Sequence, residues 1–258
     1  MTDSIISPEP TTTIVYGVHA VETLLSTRQE SIDHIYFEKT KRSQQLFELM
    51  KICRKERLAY NLVPAPRLSQ VAGTENHQGV VAVCSVKPYC TVEELEKKIE
   101  GKKAPLFILA ASMEDTGNLG ALIRSCVAFS ADALFLERKN TAPLSGTVAR
   151  TSAGTVEHLT ILKPKNLEGI VEGLRRDRGF AIIGAHAQKG VPPSTIDCTG
   201  PVMLIIGGEH RGIPPYLEKL CTCFASIPQS PLAQSLNASV AGGIMLYECA
   251  RQRGEKQL

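Results

Sequence analysis

Apolar and polar positions along this chain fall into short blocks whose period switches between two and about 3.6, the mark of strands and helices in alternation. Residues 17–25 carry apolar side chains at helical spacing, and residues 32–37 read as a short strand. Residues 43–58 predict an amphipathic helix, with Leu46, Leu49, Met50, Ile52 and Cys53 apolar and Lys51, Arg54, Lys55 and Arg57 between them. A strand at 60–63, a helix at 66–72 and a strand at 79–86 complete an α/β module of about 75 residues, enough chain to fold alone. Residues 88–103 then turn to Glu and Lys between prolines, with the two signs evenly balanced, and predict a solvated, partly helical linker.

Beyond Pro105 the alternation resumes on a larger scale. Strands are expected at 106–111, 133–136, 180–185, 202–206 and 224–227, with helices at 118–130, 167–177, 214–221 and 236–251. These strands are almost continuously apolar, which indicates a mostly parallel sheet covered by helices on both faces. The expected fold is therefore α/β in two domains, 14–87 and 105–258, joined by a charged linker at 88–104 behind a flexible tail at 1–13. Ligands of such sheets gather at the carboxyl ends of the strands.

Composition adds bounds rather than an activity. With 258 residues and 43% hydrophobic content the chain can bury a sizeable core. A net charge of +3 permits contact with nucleic acid without arguing for it unaided. The eight cysteines lie mostly in apolar runs without a C-x-x-C pair, so they read as small buried hydrophobes of a reducing compartment. The first thirteen residues have no apolar signal core, and no run approaches the ~18 apolar residues of a membrane span. A cytoplasmic protein without membrane contact is expected. No histidine pair has metal-ligand spacing, so no metal site is expected, and the G-x-S-x-G of a serine hydrolase is missing.

The chemistry-bearing residues sit in three loops at strand ends. In the first, residues 112–124, Asp115 or Asn118 suits a helix N-cap and Gly117 a turn. Arg124 is harder to account for, because Ile123, Cys126 and Val127 flank it and the pattern sets it in a mostly apolar stripe. In the second, Gly207-Gly208-Glu209-His210-Arg211-Gly212, neither phosphate-loop fingerprint is present. Glu209 is either a cap partner or a carboxylate presented to a polar ligand, and a surface pair with Arg211 is the plain alternative. In the third, Ser235 or Asn237 suits the N-cap of the last helix. That leaves a further polar residue and the pair Gly242-Gly243, which suggests close backbone approach.

Taken together, Asp115-x-x-Asn118-Leu119-Gly120-Ala121-x-x-Arg124, Gly207-Gly208-Glu209-x-x-Gly212, and Ile227-Pro228 with Ser235-Leu236-Asn237-x-Ser239-Val240-Ala241 resemble the three motifs of the SpoU family of RNA ribose 2′-O-methyltransferases, the TrmH-like branch of the SPOUT class. Residues 17–21 and 77–82 are similar to the ribosomal-protein-L30-like substrate-binding domain of bacterial 23S rRNA guanosine methyltransferases. The resemblance implies a trefoil knot in the C-terminal domain, one of the rare exceptions to unknotted topology. It also implies S-adenosyl-L-methionine as cofactor and a homodimer whose RNA site is completed across the interface. By the same resemblance Gly184, Ala185, Ile206, Gly207, Gly208, Ile227 and Leu236 hold the cofactor. Arg124 is the catalytic arginine, Asn118, Glu209 and Asn237 orient it and the nucleotide, and Ser235 contacts ribose or phosphate. His210 stands where the family usually has glycine; its default place is in solvent.

A ribose hydroxyl is a poor nucleophile, so methyl transfer to it requires in-line placement and removal of its proton. Arg124 has two roles open to it: holding the phosphate beside the target ribose, or accepting that proton in a transiently neutral form. The expected function is methylation of structured RNA, a guanosine of 23S rRNA by preference, with tRNA as the alternative substrate. A non-catalytic RNA-binding or ribosome-assembly protein on the same scaffold is the alternative from another class. Such a scaffold has no need to keep Arg124, Glu209 and Asn237.

Overall fold

The computed structural model describes residues 12–230 and 232–254. Two compact units emerge: the chain up to Pro88 together with Leu144–Arg150, and Tyr89–Pro143 together with the chain from Thr151 onward. The first contains β1 (Thr12–Tyr16), α1 (Val18–Thr27), β2 (Ile32–Glu38), α2 (Gln44–Lys55), β3 (Tyr60–Val63), α3 (Ala65–Ala72) and β4 (Val80–Ser85). Among the described residues its strands form a four-stranded sheet in the order β1-β4-β2-β3, antiparallel except for the parallel pair β2–β3. Ile35 and Phe37 of β2 and Val80, Val81 and Ala82 of β4 are fully buried, as are Leu24 of α1, Cys53 of α2 and Leu68 of α3.

The flexible tail expected at 1–13 lies outside the described residues as far as position 11. Thr12 and Thr13 are not tail but the start of β1, paired with Ser85 and Cys84 of β4. Two β-branched threonines suit an edge strand, and the ladder with β4 supplies the backbone partners that a free tail lacks.

The second unit holds α4 (Val92–Lys98), β5 (Leu106–Ala111), α5 (Thr116–Ala128) and β6 (Ala133–Leu136) and, after α6 (Gly146–Thr151), β7 (Ile161–Leu162), α7 (Leu167–Arg178), β8 (Ala181–Ala185), β9 (Val202–Gly207), α8 (Pro215–Glu218), β10 (Cys223–Ala225) and α9 (Ala238–Gln252). Among the described residues its strands form one six-stranded, wholly parallel sheet in the order β10-β8-β9-β5-β6-β7. Every residue of β5 is buried, as are the first five of β9, which is why these strands read as unbroken apolar runs. The chain winds outward from β5 through β6 to β7, then crosses to β8 and inserts β9 between β8 and β5. The order therefore reverses at the β5–β9 boundary, where an open parallel sheet leaves a crevice at its carboxyl edge.

All of α6 except its last residue, Thr151, belongs with the first unit: Thr147 Oγ1 lies 3.4 Å from Tyr16 Oη, and the Arg150 guanidinium sits 5.5 Å from the Tyr16 ring. The hydrophobic pattern predicts no element here, because six residues are too few to display helical periodicity.

The segment expected as a solvated linker is in part structural. Thr91 accepts a hydrogen bond from the Glu94 amide (3.2 Å) while the Glu94 carboxylate accepts one from the Thr91 amide (2.8 Å), a capping box that starts α4. From this helix Leu95 and the following Ile99, 3% and 7% exposed, join the core of the second unit beside Phe107, Leu174 and Phe180. Each contributes about 1.5–3 kcal/mol of apolar burial. The charges that dominate the composition occupy the other face.

Burial raises the thiols of Cys53 and Cys221 to about 11, so both stay protonated and inert near neutrality. No helix among the described residues is long and apolar enough to cross a membrane.

Arg253, just past α9, donates to three carbonyls, those of Cys198 (2.9 Å), Ala104 (2.8 Å) and Gly200 (2.8 Å). It thereby ties the end of α9 to the loops that precede β5 and β9. Arg253→Ala leaves three half-buried carbonyls without their charged donor and is expected to lower the unfolding free energy by roughly 2–4 kcal/mol, measured by urea denaturation.

Candidate active site

The site is built where β8, β9 and β10 end. After β9 the backbone turns at Gly207-Gly208 and closes on itself, the Gly212 amide donating to the Gly208 carbonyl at 2.9 Å. A Cβ on Gly208 would overlap the carbonyl oxygen of Ser112, and one on Gly207 the carbonyl carbon of Gly212. Only glycine lets the loops after β5 and β9 approach this closely. Beneath the turn opens a pocket of about 260 Å³ whose walls include Ala185, Ile206, Gly207, Gly208, Ile227 and Leu236. In its lining Gln229 keeps a buried amide oxygen without a hydrogen-bond partner among the described residues.

A second recess of about 290 Å³ shares Gly208, Glu209, Arg211 and Ala238 with the first and is also lined by Asp115 and Asn118. The two recesses meet at Glu209. Here one side chain joins the three loops. Asn237 is the N-cap of α9: its carbonyl oxygen accepts from the amides of Ser239 (3.0 Å) and Val240 (3.2 Å) and from the Ser239 hydroxyl (2.6 Å). Its amino group donates to Asn118 Oδ1 at 2.8 Å and to Glu209 Oε1 at 2.5 Å. Asn118 is itself fixed by its amide, which donates to the N-capping carboxylate of Asp115 at 2.7 Å and opens α5. Helices α5 and α9 then pack tightly enough that a Cβ on Gly242 would stand 2.5 Å from Leu122 Cδ1, whereas Gly243 meets nothing closer than 3.4 Å. The close approach thus belongs to Gly242 alone.

The structure brings together Asn118, Glu209 and Asn237, and lines the first pocket with Ser235, Ala185, Ile206, Gly207, Gly208, Ile227 and Leu236. Gly184 lies one step behind, facing Cys221 and Phe224 instead of the cavity. Arg124 departs most from expectation. It is exposed on α5, makes no hydrogen bond or ion pair among the described residues, and lines neither recess. Six residues past Asn118 it stands about 9 Å further along the helix and on a different side of it. Its apolar neighbours Leu122, Ile123 and Cys126 are buried on the inner face, so no apolar stripe encloses the guanidinium. Arg211 pairs with Glu114 at 3.7 Å, not with Glu209. Both ends of that pair are exposed, so it adds little stability. His210 is exposed on the rim of the second recess.

Sequence reasoning passed over His186 and Gln229. His186 follows Ala185 directly and lines the pocket, its Nδ1 accepting from the amides of Gln188 (3.1 Å) and Lys189 (2.9 Å). Gln229 follows Ile227-Pro228 in the same way. Only their position just beyond predicted strand ends could have signalled them.

The geometry has close relatives. Residues 105–247 match the SpoU rRNA Methylase family, and residues 14–90 match the family described as RNA 2′-O ribose methyltransferase substrate binding. The 23S rRNA (guanosine-2′-O-)-methyltransferase RlmB of Ralstonia nicotianae is 32% identical over 243 residues, 93% of this chain and 96% of that protein. Among solved structures, the SpoU methyltransferase AviRb of Streptomyces viridochromogenes, in complex with AdoMet, superposes with a TM-score of 0.78 over 95% of this chain and 92% of its own, at 24% identity, a likeness of fold. The A. aeolicus TrmH/SpoU tRNA modifying enzyme is 29% identical with a TM-score of 0.53, over 63% of this chain and 85% of that one. Since the matched family spans more than half of its length, including all three strand-end loops, the chain belongs to the SpoU rRNA methylase family.

Proposed function

We propose that the protein transfers a methyl group from S-adenosylmethionine to the 2′-hydroxyl of a guanosine in 23S rRNA, in the cytoplasm. The single observation that carries this reading is the junction at Glu209, where a glycine-walled pocket opens beside a polar cluster drawn from all three family motifs. The pocket fits the cofactor by its chemistry. Backbone at Gly207 and Gly208 is exposed by the lack of side chains, Ile206, Ile227 and Leu236 give apolar walls for a base, and the orphaned oxygen of Gln229 can accept from an amino group. When bound, the cofactor supplies an electrophilic methyl group on a sulfonium.

The remaining work falls to this chain. Asn237 holds Glu209 and Asn118 in register at the rim, where they orient the nucleotide, and Ser235 contacts its ribose or phosphate. For Arg124 the exposure favours the first of its two roles. A guanidinium in water stays charged, which suits it to hold the phosphate beside the target ribose and makes it a poor proton acceptor.

A homodimer and a trefoil knot belong to the same reading. Val240, Ile244 and Tyr247 recur at helical spacing on α9 and are 49%, 38% and 55% exposed, an apolar stripe next to α5 that supports a second copy covering it. Arg124 is carried on α5, so an interface there supports an RNA site completed by the partner. The insertion of β9 between β8 and β5, followed by the return of α9 to pack on α5, supports the knot. The first unit is read as the L30-like RNA-binding domain at 14–87, and residues 105–258 as the methyltransferase domain.

The test is to incubate the purified protein with S-adenosylmethionine and either deproteinised 23S rRNA or total tRNA and map the product by mass spectrometry. One 2′-O-methylguanosine in 23S rRNA is expected; methylation confined to tRNA overturns the choice of RNA, and none in either overturns the activity. Arg124→Ala should lower methyl transfer by more than about a hundredfold while calorimetry finds cofactor affinity nearly unchanged. Asn237→Ala should cost about 1 kcal/mol of stability by loss of the α9 cap and lower the methylation rate beyond what the unfolded fraction explains. Gly208→Ala should weaken cofactor binding by about tenfold or more, since the Ser112 loop must move to admit its methyl group.

A further inference from the structure

Glu137 is the residue just beyond β6, outside all three motifs, and it is 9% exposed. Its two carboxylate oxygens are divided between two elements. Oε2 accepts from the Ser112 amide at 2.9 Å and from the Ser112 hydroxyl at 3.3 Å, while Oε1 accepts from the Tyr216 hydroxyl at 2.7 Å. A buried carboxylate requires donors on both oxygens, and here it has them. Burial first, and the bond to Glu137 next, hold the Tyr216 phenol above its usual range, so it remains a donor throughout the working pH range.

Both partners sit at hinge points of the site. Ser112 is the first residue after β5 and adopts φ +52°, a left-handed conformation that a serine does not take without support. Its carbonyl oxygen is the atom against which Gly208 closes, and the residues that follow it lead directly to Asp115 and Asn118. Tyr216 lies on α8, the element that follows the Gly207–Gly212 loop. One carboxylate therefore grips the start of the first motif loop and the exit of the second.

We propose that Glu137 is a positioning residue for methyl transfer: by clamping the Ser112 turn to α8 it sets the separation between Asn118 and the Gly208-Glu209 backbone. The clamp acts through hydrogen bonds and not through its charge. A glutamine in its place can accept the Ser112 amide with its oxygen and donate to Tyr216 Oη with its nitrogen, whereas a methionine fills the volume and does neither. The proposal rests on the methyltransferase reading above for its kinetic consequence, but the clamp itself is open to a direct measurement.

The full-length protein is compared with Glu137→Gln, Glu137→Met and Tyr216→Phe in three experiments: hydrogen exchange of the Ser112–Asp115 amides, S-adenosylmethionine affinity by calorimetry, and steady-state methylation of 23S rRNA. In Glu137→Met, exchange at Ser112 and Met113 should rise about tenfold or more with the interior of β5 unchanged. Its kcat, measured well below its melting temperature so that the unfolded fraction is negligible, should fall about ten- to a hundredfold. Glu137→Gln should restore both, and Tyr216→Phe should fall between. Unchanged Ser112 exchange in a folded Glu137→Met variant overturns the clamp, and so does a kcat within twofold of the parent. Failure of Glu137→Gln to recover either quantity overturns the hydrogen-bonding account. If the parent protein itself neither binds S-adenosylmethionine nor methylates RNA, the reading of function fails while the exchange data still decide the clamp.

Discussion

The geometry of this site depends on how one primary amide divides its two ends. The carbonyl end of Asn237 is committed to the first turn of α9, where three donors converge on it, and that commitment aims the amino end outward at Asn118 and Glu209. Capping and site assembly are thus one constraint. Aspartate would cap the helix equally well but has no donor to offer, and it would place a second carboxylate against Glu209. Serine, the other preferred cap, is too short to reach both neighbours.

Behind that amide stands a hierarchy of close approaches. Gly242 lets α9 lie on Leu122 of α5, and Gly208 lets the loop after β9 lie on the Ser112 carbonyl. Because the strands beneath are fully buried, these contacts are referred to a rigid platform, and small side-chain changes at the rim translate into loss of register and not into local adjustment. The stripe of Val240, Ile244 and Tyr247 on α9 is the exception, an apolar surface that the described residues leave exposed.

The strands and the pocket were legible in the amino-acid order because they obey strong rules. Unbroken apolar runs such as residues 106–111 and 202–206 have few other solutions, and small residues at their ends mark where backbone is laid open. The cap at Asn237 was half legible: two residues qualified, and only the contact with Asn118, more than a hundred positions away, separates them. The apolar surroundings expected for Arg124 are not found, because neighbours in sequence are not neighbours in space. Residues one or two apart on a helix point in different directions, so Ile123 and Cys126 can be buried while Arg124 is not. The contact between Glu137 and Tyr216 joins positions 79 apart and has no local signature. In the stretch before Pro105 the density of charge hid an i, i+3, i+7 series of Val92, Leu95 and Ile99, which a count of residue types cannot register.

That short series alters where the second unit begins as a piece of matter. Its core does not start with β5 but is closed from below by α4, whose Leu95 and Ile99 lie among Phe107, Leu174 and Phe180. An excision made at the proline ahead of β5 would respect the family boundary and yet strip a wall from the hydrophobic interior, leaving aromatic rings facing water. The natural seam lies instead near Tyr89, so the acidic and basic residues that look like a tether are the outer skin of a lid that the methyltransferase fold carries with it.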